Sequence, residues 1–350
     1  MGASSAISIS TPEPQGKDGS LILLRDASPQ DATADDHKAW ADSMAEALGE
    51  AGLLKAAPRV RDCAEALFFD LIADATTGEI RHRLRSATYC HYRHCPICQW
   101  RRSLRNKAML LTNLPRILDQ YPTARFVLLT LTIKNCHVSD LRETAKAMTK
   151  GFKRLIERKD WPALGWVRAF EVTRGEDGSA HPHYHVLLMV PASYFTGRSY
   201  VPKRQWEERW REAMRLDYDP MCDVRTVKVS AKRLEALQEA AAAQGREPTA
   251  QELRMAALIG AVSEVAKYST KASDLLAGGP EWLAQYVEQV HCLKIITTGG
   301  ALKGIMKDFA ESDGDDLVHI SEDHIEGEDV GKVAYHWRRK VKAYASKRKG

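Results

Sequence analysis

Nothing in this sequence approaches the roughly 20 consecutive apolar residues of a membrane-spanning helix. Met1 to Ser20 has no basic start leading into an apolar core, so no export leader is legible, and the expectation is a cytoplasmic chain with no membrane partner. No Gly-x-x-x-x-Gly-Lys-Ser/Thr loop occurs, which excludes a recognisable nucleotide-driven motor. Acidic residues are missing from two stretches: none lies between Ile80 and Lys107, and none follows Asp329. The net charge of +5 therefore hides a one-sided distribution. What is present is ample for folding: 350 residues, 44% of them hydrophobic, suit two or three domains. Seven cysteines in an unexported chain argue for thiols or metal ligands rather than disulfides.

The densest chemistry lies between Glu171 and Val190. Val186 to Val190 is apolar and stops at Pro191, so it reads as a strand continuing out of His181, His183 and His185. Side chains two apart on a strand share a face, which aligns His183 with His185, and His181 beside them, while Tyr184 points the other way. Trp166 to Thr173 reads as a second strand, with a hairpin loop at Arg174 to Ser179 between the two. In that hairpin Glu171 can reach the imidazoles, and a carboxylate with two imidazoles on one face makes an open site for a divalent cation. A one-residue slip of register would instead turn Glu171 to the opposite face. The bland alternative is histidines hydrogen-bonded at a strand edge; three in alternation before a buried strand favour the site.

A cysteine cluster precedes it. Cys90, Cys95 and Cys98 are close in sequence, and Cys63 lies upstream across an apolar run (Ala66 to Ala73) and a turn at Thr77-Gly78. Two strands joined by that turn return Cys63 to Cys90, and four thiolates then close a tetrahedral structural zinc site with no open position. His91 or His94 would substitute if Cys63 were not a ligand. A redox Cys-x-x-Cys is the rival, but no thioredoxin-like pattern surrounds Pro96 and Ile97. The acid-free stretch carries Arg81, Arg83, Arg85, Arg93, Arg101, Arg102, Arg105 and Lys107. Such a patch on a rigid module suits a phosphate backbone, with Arg93, Arg101, Arg102 and Arg105 as the expected DNA contacts. Trp100 serves equally well as a stacking surface or as core.

Around these clusters the elements alternate. Met1 to Asp36 has a disordered composition, and His37 to Leu54 makes an amphipathic helix through Trp40, Met44, Leu48 and Ala51. Arg125 to Ile133 is a strand buried on both faces. Ser139 and Asp140 open a helix striped by Leu141, Ala145, Met148, Phe152 and Leu155. Lys203 to Arg215 is another helix and Asp223 to Ser230 another strand. A helical pair inserted at about 231–256 carries a capping box, Thr249 with Glu252. The next helix, from about Gln251 to Lys271, buries Leu258, Ile259, Val262, Val265 and Ala266 and lines up Glu264, Tyr268 and Lys271 on its other side. A phenol with a pKa of about 10 attacks weakly, but beside a metal-polarised phosphate Tyr268 is a candidate nucleophile, with Lys271 adding positive charge. Glu281 to Leu293 reads as a helix, Thr297 to Gly300 as a turn, and the tail as a solvated charge run, acidic and then basic. An antiparallel sheet with helices packed on it, an α+β fold, fits this order.

Phe126 to Thr132, His181 to Leu188 and Glu264 to Lys271 resemble, in order, the three successive motifs of rolling-circle plasmid replication initiators (Rep proteins), a family of the HUH endonuclease superfamily (His-hydrophobe-His). Cys90 to Arg102 is similar to that family's cysteine knuckle followed by Trp-Arg-Arg, so the resemblance spans roughly residues 60 to 275. With the composition it divides the chain into an N-terminal extension, partly disordered (1–56), and a zinc-binding basic module (57–110). A HUH endonuclease domain, an antiparallel sheet flanked by helices with the helical insertion at about 231–256, would follow (111–300), then a charged C-terminal tail (301–350).

The resemblance also implies an enzyme, a metal-dependent DNA endonuclease and strand transferase. His183 and His185, with Glu171, would hold Mg²⁺ or Mn²⁺ against the scissile phosphate at a hairpin or single-stranded nick site in the plasmid's double-strand origin. Tyr268 would attack, leaving a 5′-phosphotyrosyl link and a free 3′-hydroxyl primer. Glu264, one helical turn earlier, would activate or position water for the terminating cleavage. His181 fits the pattern as a ligand, as a support behind the ligands or as a DNA contact. Unwinding and synthesis would fall to a host helicase and DNA polymerase. A HUH transposase or mobilisation relaxase would use the same motifs. A non-catalytic, zinc-containing DNA-binding regulator would leave the histidines structural.

Overall fold

Strand periodicity over Arg125–Thr132, Gly165–Arg174 and Ala180–Val190 produces the middle of a five-stranded sheet. It is seen in a computed structural model that describes residues 21–75, 77–196, 199–267, 270–306, 317, 318, 320 and 327–346. The strands lie in the order Cys222–Thr226, Arg125–Thr132, Ala180–Val190, Gly165–Arg174, Ile296–Gly300, and each neighbouring pair is antiparallel. No described helix is long and apolar enough to cross a membrane.

Alternation along these strands sends side chains to two faces with different fates. Tyr184, Val186, Leu188 and Val190 share one buried cluster with Val127, Leu129 and Leu131 and with the helices Leu141–Ile156 and Lys203–Met214. The expected stripe of Leu141, Ala145, Met148, Phe152 and Leu155 is buried there, as are Trp206 and Trp210. Truncating a packed ring such as Phe152 to alanine costs about 3–5 kcal/mol. On the opposite face Phe126, Val167, Leu187 and Met189 pack with the helices Pro96–Gln120 and Ala250–Val265. The histidines continue that second face. It turns from apolar to polar at His185, where the covering helix reaches its end.

Three expectations are corrected here. The helix carrying Glu264 stops at Val265 rather than at Lys271. Beyond it Thr270 is fully buried, its hydroxyl 2.5 Å from that of buried Tyr286. Lys271 instead precedes a separate short helix, Ala272–Ala277, as its N-cap. Thr297 to Gly300 is not a turn but part of an edge strand, Ile296–Gly300. Its glycines are needed because a Cβ at Gly299 would fall 2.5 Å from the Trp166 ring, and Gly300 has φ +60°.

The third correction concerns the chain's two ends. A second antiparallel sheet runs Ile22–Leu23, Ala343–Ser346, Gly327–Arg338, Ala66–Asp74, Ile80–Ala87. The hairpin across Thr77-Gly78 is the expected one. The tail is not a solvated charge run over 327–346: Tyr335, Trp337 and Tyr344 are buried. Nor is Leu21 to Asp36 disordered, since it pairs with Ala343–Ser346 and starts the helix Thr33–Glu50. On that helix Lys38 is fully buried, with its ammonium 2.5 Å from the Arg61 carbonyl and 3.4 Å from both Asp42 and Glu65. Asp42 and Glu65 balance that buried charge, and Arg339 pairs with the same two carboxylates. Met1 to Ser20, most of the acidic stretch and Lys347 to Gly350 lie outside the described residues.

Candidate active site

Register decides which side chains meet. Glu171 pairs with His183 across the hairpin, and His185 pairs with Ala169 on one side and Thr130 on the other. Glu171, His183 and His185 therefore share a face, and no slip turns the carboxylate away. The Glu171 carboxylate lies 3.2 Å from His185 Nε2 and 3.7 Å from His183 Nε2. All three side chains are largely buried, at 12%, 10% and 14% exposure. Burial pushes the Glu171 carboxyl up, but hydrogen bonds and charge from His183 and His185 outweigh it and hold the group well below the usual carboxylate range.

The other ring nitrogens are occupied. His183 Nδ1 is 3.1 Å from the His181 carbonyl, and His185 Nδ1 is 3.2 Å from Thr130 Oγ1. Both Nε2 atoms are thus aimed at the carboxylate. This is the arrangement in which imidazoles bind metal, one nitrogen on the ion and the other fixed by a hydrogen bond. Ligand atoms of Glu171, His183 and His185 all lie within 4.8 Å of one another. His181 stands beside them, its Nδ1 2.7 Å from Asn135 Oδ1, outside that close group. Asn135 and Thr130 were not anticipated as partners. Thr130 had a signal, since it alternates onto the histidine face, whereas Asn135 comes from a loop and had none.

The helix Ala250–Val265 begins with the expected capping box. Its far end brings Glu264 to the cluster: Glu264 Oε1 is 3.7 Å from His185 Nε2, and Oε2 is 2.6 Å from the Lys267 ammonium. Tyr268, four residues after Glu264, lies outside the described residues. Lys271 is exposed and lines a cavity of about 150 Å³ with His37, Trp40 and Gln99. Tyr286 is fully buried, stacked on Trp282, and is part of the core.

The four cysteines converge from separate elements. Cys63 follows the helix Ala56–Arg61, Cys90 follows the strand Ile80–Ala87, and Cys95 and Cys98 begin the helix Pro96–Gln120. Their sulfurs lie within 4.8 Å of one another, with Cys98 3.6 Å from Cys63 and 3.7 Å from Cys90. Ala64 and His91, one residue past Cys63 and Cys90, adopt positive φ (48° and 54°), turning the chain tightly around the sulfurs. The amides of Cys90 and Tyr92 point at Cys63 Sγ and Cys90 Sγ, both at 3.4 Å. Hydrogen bonds among the thiols hold Cys90 and Cys98 below the usual thiol range and push Cys63 and Cys95 up. Four sulfurs with amide donors behind them fit a closed tetrahedral metal site.

The arginines divide. Arg83 and Arg85 pair with Asp70, and Arg81 with Asp74, so these cations are balanced from the neighbouring strand. Arg101 is buried and donates to the carbonyls of Leu317 and Val318, which removes it from the exposed surface. Arg93 and Arg102 are half-buried, Arg93 bonded to the Leu293 carbonyl at 2.6 Å and Arg102 to that of His91 at 2.9 Å. Arg105 sits one turn beyond Arg101, also half-buried. Trp100 stacks on His37 with ring centroids 4.6 Å apart and packs on the core.

Fold and clusters together define an α+β protein with two candidate metal-binding groups, one of four thiols and one of a carboxylate and two imidazoles. The profile of a family described as replication protein matches residues 81–345. The chain is 32% identical over 281 residues to Protein rep of Lactiplantibacillus plantarum, covering 77% of this chain and 80% of that one. It is 32% identical over 313 residues to Protein rep of Bacillus amyloliquefaciens, covering 84% and 85% respectively. With Protein rep of Streptococcus pneumoniae serotype 2 the identity is 30% over 299 residues, 83% of this chain and 84% of that one. No solved structure matches the chain. The chain belongs to the replication-protein family and is a plasmid replication initiator.

Proposed function

We propose that this protein is a rolling-circle initiator of the HUH endonuclease class, which nicks one strand of its plasmid's double-strand origin by tyrosine transesterification. The observation that supports the reading is the approach of Glu264 to His185, which sets the end of the helix Ala250–Val265 beside the Glu171, His183 and His185 group; Tyr268 follows Glu264 by four residues in the sequence. Those three residues would hold Mg²⁺ or Mn²⁺, which when bound would supply Lewis-acid polarisation of the scissile phosphate. The chain's own residues do the rest. The imidazoles are held by Thr130 and by the His181 carbonyl, so the ligands are oriented before the ion arrives.

In the step itself the Tyr268 oxygen forms a bond to phosphorus as the bond from phosphorus to the 3′ oxygen breaks. The phenolic proton leaves, and the 3′ oxygen takes one up to become the primer hydroxyl. One phosphodiester replaces another, so no nucleotide cofactor is consumed. Glu264 acts later, positioning or activating water for the terminating cleavage, and Lys271 adds positive charge beside the attacked phosphate. The four cysteines would hold structural Zn²⁺. Host helicase and DNA polymerase extend the 3′ end in the cytoplasm.

The test is incubation with labelled single-stranded origin DNA and Mn²⁺. Tyr268→Phe is expected to abolish cleavage and the covalent adduct while sparing binding. Glu264→Ala is expected to nick but terminate poorly. A Tyr268→Phe protein that still cleaved would assign the attack to another nucleophile, and a wild-type protein that bound the strand without cleaving it would favour a DNA-binding regulator.

A further inference from the structure

Nicking as described leaves unused a cavity of about 370 Å³ that borders the site. It opens between the start of the helix Pro96–Gln120, the end of the helix Ala250–Val265 and the edge strand Ile296–Gly300. Its walls divide by chemistry. Ile296 and Met306 form an apolar side, and Arg93, Arg102 and Lys267 bring three cations. No described carboxylate lines it. Ser103 and Asn106 add neutral polar groups along the knuckle helix.

Two of the cations are held in place. Arg93 is tied to the Leu293 carbonyl and Arg102 to the carbonyl of His91, the residue after Cys90, so folding of the cysteine knuckle sets the direction of a guanidinium in this cavity. Anchored guanidiniums lose little freedom on meeting a phosphate and bind it with charge-assisted hydrogen bonds. The cavity also connects to the cluster: Lys267 reaches Glu264, and Glu264 reaches His185. Its volume is at the lower end of small-ligand pockets, a size suited to one nucleotide rather than to a duplex. Apolar side chains together with amide and hydroxyl groups suit an unstacked base.

We infer that this cavity receives one unpaired nucleotide of the DNA strand beside the scissile phosphate, its base against Ile296 and Met306 and its phosphate on Arg93, Arg102 and Lys267. The four-cysteine knuckle is then more than a fastening, since it aims part of the strand-binding surface. The inference rests on the nicking reading for the identity of the strand, but its test does not depend on cleavage.

Full-length protein carrying Tyr268→Phe is titrated by fluorescence anisotropy with two labelled probes, a thymidylate dodecamer and an abasic deoxyribose-phosphate chain of the same length. The thymidylate strand is expected to bind at least about tenfold more tightly, as stacked bases usually confer. Adding Ser103→Trp, which fills the cavity, should reduce that preference about fivefold or more while leaving the abasic chain bound within about twofold of before. Arg102→Gln should weaken both probes and make the salt dependence shallower by about one phosphate contact. Thiol-bound zinc content and thermal melting report whether each variant folds, and Asn106→Leu gives the same base-preference readout if Ser103→Trp does not. An unchanged preference in folded cavity variants, or an equal loss for both probes, overturns the inference. Because the host protein cannot cleave, either result leaves the nicking proposal standing or falling on its own test.

Discussion

The two candidate metal groups are built in opposite ways. The cysteine group draws its sulfurs from a helix end, a strand end and the first turn of a second helix, pieces joined otherwise by a few contacts such as Ala64 N–H to the Thr88 carbonyl, Arg59 to the Cys90 carbonyl and shared core packing. The carboxylate and imidazole group comes from one hairpin whose strands are hydrogen-bonded over their length and packed on both faces. One group should therefore be necessary for the fold. The other sits on a scaffold that forms without it, and its open side faces the helix end bearing Glu264. Closed and distributed geometry suits structure, whereas open and local geometry suits chemistry.

Substitutions can break that contrast, and the largest effect belongs to the cysteines. Cys98→Ser should release the bound metal and cost more than about 4 kcal/mol of stability, read by metal analysis and thermal melting. A variant that lost metal but melted like the wild type would show that the knuckle is held by its hydrophobic contacts instead. Glu171→Gln should do the reverse, lowering the cleavage rate at least about a hundredfold while changing stability by less than about 2 kcal/mol. Equal damage to folding and to rate would erase the distinction between the two groups.

A smaller effect lies on the cysteine side, where His37 stacks on Trp100. Burial lowers the His37 pKa to about 4, from an ordinary value of 6.5. Between those values the unfolded chain binds a proton that the folded chain does not, so stability should fall as pH drops from 6.5 toward about 4. His37→Phe should flatten that slope in pH-dependent denaturant melts. A slope unchanged by the substitution would assign it to other groups.

Local patterns were legible in the sequence. Alternation gave the histidine face, and a hairpin of ordinary length put Glu171 against it. Cysteine spacing with an intervening hairpin gave the four-sulfur group. What the sequence concealed depends on distant pairing. Ile22–Leu23 pairs with Ala343–Ser346 across nearly the whole chain, and no local pattern encodes that. In Gly327–Arg338 the buried Tyr335 and Trp337 are interleaved with charged or polar neighbours, which made a half-buried strand look like a solvated tail. Arg101 looked like its basic neighbours until Leu317 and Val318 supplied carbonyls for it. The burial of Thr270 was hidden as well, because its partner Tyr286 lies on another helix.

The most direct measurement is to trap the covalent adduct formed with radiolabelled single-stranded origin DNA and Mn²⁺, digest the protein, and sequence the labelled peptide. Label on Tyr268, lost when His183 or Glu171 is substituted, is the result this account predicts. Label on another residue, or undiminished label after those substitutions, would contradict it.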